Sequence, residues 1–215
     1  MERITGDIIL DLDGTLWDSS DTVAKSWTAT ISAAGNPMVG RKIITRDDMR
    51  QLMGMTMDDI AAKIFETLPP EPRRDLMQQC MEQENNYIAE NGAFLYDGVE
   101  DTLAALSESH RLYIVSNCQN GYIETFFEVT KFERYFSDYL CYGDTGKQKS
   151  YTIQRLMNRC GSEKAVYVGD TRSDYLSAMS AGIGFVHAAY GFGKLLPGDT
   201  PLAVAADLKE LCDIF

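Results

Sequence analysis

The spacing of apolar residues changes period twice along this chain, and this constrains the fold more than any other feature. The run Asp7-Ile8-Ile9-Leu10-Asp11-Leu12 is short, β-branched at its start and closed by Asp13-Gly14-Thr15, which predicts a buried strand ending in a turn. From Asp18 to about Asn91 the spacing is helical. Val23, Trp27 and Ile31 fall four apart ahead of Gly35-Asn36-Pro37, and Ile60, Ala61, Ile64, Phe65 and Leu68 share a face ahead of Pro69-Pro70. A third helix opens at Pro72, buries Leu76, Met77, Cys80, Met81 and Ile88, and ends at Asn91-Gly92.

After Gly92 helix and strand alternate. The strands expected are Arg111–Val115, Tyr139–Tyr142, Ala165–Val168 and Ile183–Val186, preceded by helices over Val99–Leu106, Tyr122–Phe127, Ser150–Asn158 and Asp174–Ala181. Short apolar runs separated by amphipathic helices predict parallel strands joined by crossovers, an α/β doubly wound, Rossmann-like sheet. The helical stretch then interrupts that core. The predicted organisation is an α/β core over 1–17 and 93–215 with an all-helical domain inserted over 18–92.

A length of 215 residues suits one domain carrying an insertion. Lys and Arg number 20 against 32 Asp and Glu, a formal net charge of -12. That excludes a general nucleic-acid binder, which needs a basic footprint, and docking on an anionic membrane surface. No run approaches the roughly 18 apolar residues of a membrane span. The N-terminal Met1–Asp7 lacks the basic start and long apolar core of a secretory signal, so a cytoplasmic location is expected. The five cysteines contain no Cys-x-x-Cys and are expected to be free thiols.

In doubly wound sheets the reacting groups sit beyond the carboxyl ends of the strands. Asp11 and Asp13 are two apart, so an extended chain sends both side chains the same way. Asp170 and Asp174 are four apart at a strand-to-helix junction and would reach the same edge. As many as four carboxylates thus converge, a cluster that needs a cation, and an all-oxygen set favours Mg²⁺. Ser116 and the turn at Asn117 offer a hydroxyl and backbone N–H groups to phosphate oxygens. Lys147 and Lys149 compete for the remaining role: a cation at a helix start is opposed by the helix dipole unless an anion or carboxylate faces it.

These residues, in the order Asp11-Leu12-Asp13-Gly14-Thr15-Leu16, Ser116-Asn117, Lys149 and Gly169-Asp170-Thr171-Arg172-Ser173-Asp174, resemble the four motifs of the haloacid dehalogenase-like hydrolases. The insert resembles that superfamily's helical cap, and the whole chain resembles its phosphoglycolate phosphatase-like branch. The resemblance implies a Mg²⁺-dependent phosphatase of a small phosphorylated metabolite, acting through an aspartyl-phosphate. It assigns Asp11 as nucleophile and Asp13 as general acid and base, with Asp11, Asp170, Asp174 and the Asp13 carbonyl serving the metal. Ser116, Asn117 and Lys149 would hold the phosphoryl group. Lys149 is preferred to Lys147 because the family's lysine stands directly before the helix. A monomer or weak homodimer is expected, with a sugar-phosphate mutase or a phospho-accepting signalling domain as alternative functions.

The insert's Met49, Met53, Met55 and Met57 are expected to pack its own helices. The alternative is that the turn Gly54-Met55-Thr56-Met57 faces the site, so that Gly54 and Thr56 contact substrate. Arg46 and Arg50 are either solvated or, Arg50 above all, a subsite for a second anion. His110 and His187 are expected to be packed rather than ligating. Gly143–Gln148 is too short for a nucleotide-binding loop and lacks the Ser or Thr after its lysine.

Overall fold

The computed structural model describes residues 3–215, so Met1 and Glu2 of the N-terminal segment lie outside the described residues. The chain begins with β1 (Asp7–Leu10) and β2 (Trp17–Asp18), followed by α1 (Ser20–Ala34), α2 (Arg46–Arg50), α3 (Met57–Ile64) and α4 (Pro70–Asn91). It continues with β3 (Phe94–Leu95), α5 (Val99–Ser107), β4 (Leu112–Ser116), α6 (Tyr122–Thr130), β5 (Phe136–Cys141) and the short α7 (Tyr142–Thr145). The last elements are α8 (Lys149–Cys160), β6 (Ala165–Gly169), α9 (Arg172–Ala181), β7 (Gly184–Ala188), β8 (Ala203–Ala205) and α10 (Leu211–Ile214).

Six strands form one sheet in the order β5-β4-β1-β6-β7-β8, and every pairing is parallel. The chain leaves β1 for β4 and β5 on one side, then crosses to β6 on the other. The reversal of strand order therefore falls at β1, where such sheets open a crevice. All four residues of β1 are buried, as expected of a strand covered on both faces. Ile8 and Leu10 belong to one apolar cluster, and Ile9 to the other with Tyr113, Val115 and Tyr167. The first cluster continues without a break into the helical insert through Trp17, Trp27, Phe65 and Ile88.

The strand boundaries differ from the predicted ones by a few residues, the largest difference being the start of β5 at Phe136. Several features were not predicted, among them the short α7 and α10. The antiparallel pair β2–β3, with Trp17 opposite Leu95 and Asp18 opposite Phe94, brackets the insert; two residues are too short to show a period of two. The edge strand β8 has only three residues. Helix α2 forms because Thr45 and Asp48 make a capping box: the Thr45 hydroxyl accepts from the Asp48 N–H, and the Asp48 carboxylate accepts from the Thr45 N–H. Helix α4 starts at Pro70 rather than Pro72, since proline is tolerated in a helix's first turn. All five cysteines are free, three of them buried.

Candidate active site

The carboxyl ends of β1 and β6 place Asp11 and Asp170 side by side, because the two strands pair in register from Asp7 with Ala165 to Leu10 with Val168. Asp174 joins them from the first turn of α9. Its Oδ2 accepts from the N–H and hydroxyl of Thr171 in a capping box, which fixes the carboxylate and points Oδ1 at Lys149. The Lys149 Nζ donates to Asp174 Oδ1 at 2.5 Å and to Asp11 Oδ1 at 3.1 Å. One oxygen from each of Asp11, Asp170 and Asp174 lies within 4.8 Å of the others. Asp11, Asp170, Asp174 and Lys149 are all buried. Lys147 is exposed.

Three buried carboxylates face one buried ammonium, so charge is under-compensated. Burial pushes the Asp11 carboxyl up to about 7, with the Asp174 charge adding and Lys149 opposing. Asp170 is pushed well up by burial and then by Asp174 and Asp11. Burial alone would lower the Lys149 ammonium, but Asp11 and Asp174 outweigh it and hold it protonated.

Asp170 sits in a cradle of backbone. Its Oδ2 accepts from the N–H groups of Phe192 and Gly193 at 3.0 and 2.7 Å. Gly14, at φ +82°, passes so close that a Cβ there would lie 2.4 Å from the Asp170 carboxylate; a Cβ at Gly191 would lie 2.3 Å from the Gly14 carbonyl oxygen. Only glycine fits at these positions. The other oxygen, Asp170 Oδ1, is buried without a hydrogen-bond partner. An orphaned carboxylate oxygen among three under-compensated carboxylates fits a hard divalent cation. The residues present thus suit Mg²⁺.

Asp13 is set apart from this cluster. The Ser19 hydroxyl donates to its Oδ1 at 2.6 Å, and the Tyr122 hydroxyl lies 2.9 Å from the same oxygen and 2.7 Å from Ser19 Oγ. Burial pushes the Asp13 carboxyl up to about 6, and the Ser19 and Tyr122 hydrogen bonds hold it back from going further. A carboxyl poised there exchanges protons near neutral pH.

Asp11, Asp13, Ser116, Asn117, Lys149 and Gly54 line one cavity between the sheet edge and the insert. The Asn117 Nδ2 donates to the Gly54 carbonyl at 2.8 Å, tying the insert's turn to the strand end. Thr56 does not line this cavity. Its hydroxyl donates to Asp59 Oδ2 at 2.7 Å and accepts from the Asp59 N–H, capping α3. Arg50 does not line it either. Its Nη2 donates to Asp18, which also takes Arg46 at 2.6 Å, and its guanidinium lies over the Phe192 ring. The anion expected at Arg50 is thus a side chain of the protein itself, Asp18. All four methionines, Met49, Met53, Met55 and Met57, contribute to the cavity wall while packing against the core, Met49 being buried and the others partly so.

Several site residues escaped the sequence reading. Ser19, Tyr122 and the Gly191-Phe192-Gly193 loop carry no motif of their own. Glu84 did carry a signal, because Leu76, Cys80, Glu84 and Ile88 fall four apart and the acid stands on the apolar stripe of α4. His187 packs against Phe185, its Nε2 3.1 Å from the Asp170 carbonyl oxygen.

A six-stranded parallel sheet with an acidic, lysine-bearing pocket at its switch point places the chain among the doubly wound α/β proteins. The haloacid dehalogenase-like hydrolase family model matches residues 8–188, and the chain belongs to this family of hydrolases. The chain is 28% identical over 218 residues to phosphoglycolate phosphatase of Salmonella choleraesuis, covering 89% of this chain and 84% of that one. It is 26% identical to phosphoglycolate phosphatase of Vibrio parahaemolyticus, covering 96% and 94%. The fold is shared with a haloacid dehalogenase-like family hydrolase of Streptococcus pneumoniae at a TM-score of 0.74 and 23% identity, covering 97% of each chain. It is also shared with CbbY of Rhodobacter sphaeroides, solved with phosphate, at a TM-score of 0.80 and 18% identity, covering 97% and 96%.

Proposed function

We propose that this hydrolase is a Mg²⁺-dependent phosphatase that cleaves a small phosphate monoester through an aspartyl-phosphate on Asp11. The observation that carries this reading is the pairing of two carboxyls with different surroundings. Asp11 is held against the Lys149 ammonium, and Asp13 is held by hydroxyls alone with its carboxyl up to about 6. The first suits a nucleophile; the second suits a proton donor.

Asp11 attacks phosphorus, and the bond from phosphorus to the ester oxygen breaks. Asp13 gives its proton to that departing oxygen, so the product leaves as a neutral alcohol. The Asp13 carboxylate then takes a proton from a water that attacks the phosphorus of the aspartyl-phosphate, releasing phosphate and restoring both carboxyls. Lys149, protonated throughout, offsets charge on the transferring oxygens, and the Ser116 hydroxyl and the backbone N–H at Asn117 complete their ring of donors. Asp11, Asp170, Asp174 and the Asp13 carbonyl would hold Mg²⁺, which when bound screens the carboxylates from an anionic substrate and draws charge from the phosphoryl oxygens. The insert over 18–92 acts as a cap, shutting bulk water from the cavity.

The phosphatase names and high coverage of the relatives support a phosphate ester over other hydrolysable substrates. The decisive test is turnover of p-nitrophenyl phosphate with and without EDTA. Activity should vanish on chelation and return with Mg²⁺, and chelation-indifferent turnover would overturn the metal assignment. Trapping of phosphate on Asp11, read by mass spectrometry after a rapid acid quench, tests the covalent step.

A further inference from the structure

The cavity's wall on the insert side is chemically unlike its floor. Val23, Trp27, Met49, Met53 and Ile60 make an apolar surface interrupted by one ionisable group, Glu84. Among the described residues lining the cavity the one cation is Lys149, already shared by Asp11 and Asp174. Residues 23–63 carry a net charge of +2, yet four of the six cations there are engaged elsewhere, and neither Arg41 nor Lys63 lines the cavity. Arg46 and Arg50 bind Asp18, Lys25 binds Asp21, and Lys42 donates to the Ile64 carbonyl.

The polar atoms that remain are acceptors. Glu84 accepts from the Trp27 indole N–H and from Gln119 Nε2. Asn117 Oδ1, on the cavity wall, and Gln119 Oε1, on the side chain that holds Glu84, are both buried with no partner. Their amide nitrogens are committed, Asn117 to Gly54 and Gln119 to Glu84 and Asn85, so the oxygens are the atoms left over.

We propose that the alcohol released here is a small one that brings hydrogen-bond donors and no negative charge, a neutral polyol or an amino alcohol, and that Glu84 is the residue selecting it. The proposal deepens the phosphatase reading and rests on it. A carboxylate-bearing alcohol placed against this wall would lose its water without gaining a counter-ion, facing Glu84 and orphaned oxygens. A hydroxyl or ammonium instead supplies the protons those acceptors lack, and the Trp27 ring suits a cation. Burial pushes the Glu84 carboxyl up to about 8, so near pH 7 it is largely neutral in the free protein, and an ammonium or hydroxyl donor beside it favours the carboxylate, whereas a second carboxylate there opposes it.

Three esters of matched length isolate the terminal group: 2-hydroxyethyl phosphate, 2-aminoethyl phosphate and 2-phosphoglycolate. With the full chain, Mg²⁺ and p-nitrophenyl phosphate as reference, kcat/KM for the first two should exceed that for phosphoglycolate at least about tenfold. Glu84→Gln should shrink both ratios by about the same factor, with folding checked by circular dichroism. The relative rates of the first two esters tell a polyol from an amino alcohol. Phosphoglycolate turned over as well as or better than the others would overturn the proposal, as would unchanged ratios in a folded E84Q. The wild-type ranking decides the question alone if E84Q does not fold. Failure to turn over p-nitrophenyl phosphate would instead bring down the phosphatase reading itself, and this inference with it.

Discussion

Asp11 and Asp18 are buried carboxylates seven residues apart, and their surroundings drive them in opposite directions. Asp11 shares one lysine with Asp174 beside a third carboxylate, and burial carries it up to about 7. Asp18 takes two arginines and the hydroxyl and N–H of Ser20. Burial opposes its charge, but these hydrogen bonds win and bring it down to about 2. The first cluster has more negative charge than it can neutralise and is built to receive a cation. The second has more positive charge than it needs and is built to stay shut, joining the end of β2 to α2. Only the under-compensated cluster has chemistry left to perform.

The sharpest break of this contrast is Asp11→Asn. It should reduce p-nitrophenyl phosphate turnover by about 10³-fold or more while leaving the melting temperature unchanged or higher, because it relieves repulsion. A variant with substantial turnover would refute the nucleophile. Lys149→Ala should follow closely in activity and, unlike D11N, should lower stability by leaving buried carboxylates unpaired. Lys147→Ala, at an exposed position, should do neither; the reverse ranking would show that the wrong lysine was chosen.

Metal binding gives the next largest effect. Saturating Mg²⁺ at about 100 times its dissociation constant should stabilise the wild type by about 2.7 kcal/mol. Asp170→Asn should abolish that gain in a thermal melt, whereas Asp18→Asn should retain it. Asp18→Asn should instead cost about 1–2 kcal/mol, discounted because both arginines are partly exposed. Since its pKa is depressed in the folded state, the Asp18 contribution is present above about pH 4 and fades as pH falls through about 2. An acid titration in which D18N and wild type lose stability in parallel would remove the ion pair from the account.

The last effect, on stability rather than on turnover, concerns Glu84, whose pKa is raised to about 8. The folded chain then binds more protons there than the unfolded chain between about pH 4.5 and 8, so stability falls as pH rises through that window. Glu84→Gln should flatten this part of the melting-temperature profile. An identical slope in wild type and variant would mean that the carboxyl is not desolvated.

Helices α1, α3 and α4, five of the six sheet strands and the four carboxylates could be read from the sequence, because each rests on local spacing. Asp11 and Asp13 follow a strand at period two, and Asp174 lies four residues after Asp170. The missing pieces depend on contacts far apart in the chain. Ser19 and Tyr122 meet on Asp13 from positions 103 residues apart, and Gly191 is needed because Gly14 and Asp170 press against it. The partner of Arg50 was illegible for the same reason. A charge count assigns it to an anion without saying which, and packing gave it Asp18.

The sequence by itself determined the α/β class, the interruption after the first strand and the identity of the acidic residues, since periodicity and turn chemistry act over a few neighbours. Tertiary structure decided which charges face one another. It chose Lys149 over Lys147, neutralised Arg46 and Arg50, and turned a chain with a net charge of -12 into a cavity with a single cation among its described lining residues. The physical reason is that electrostatic energy depends on distance and burial, and neither is set until the insert folds back over the end of the sheet.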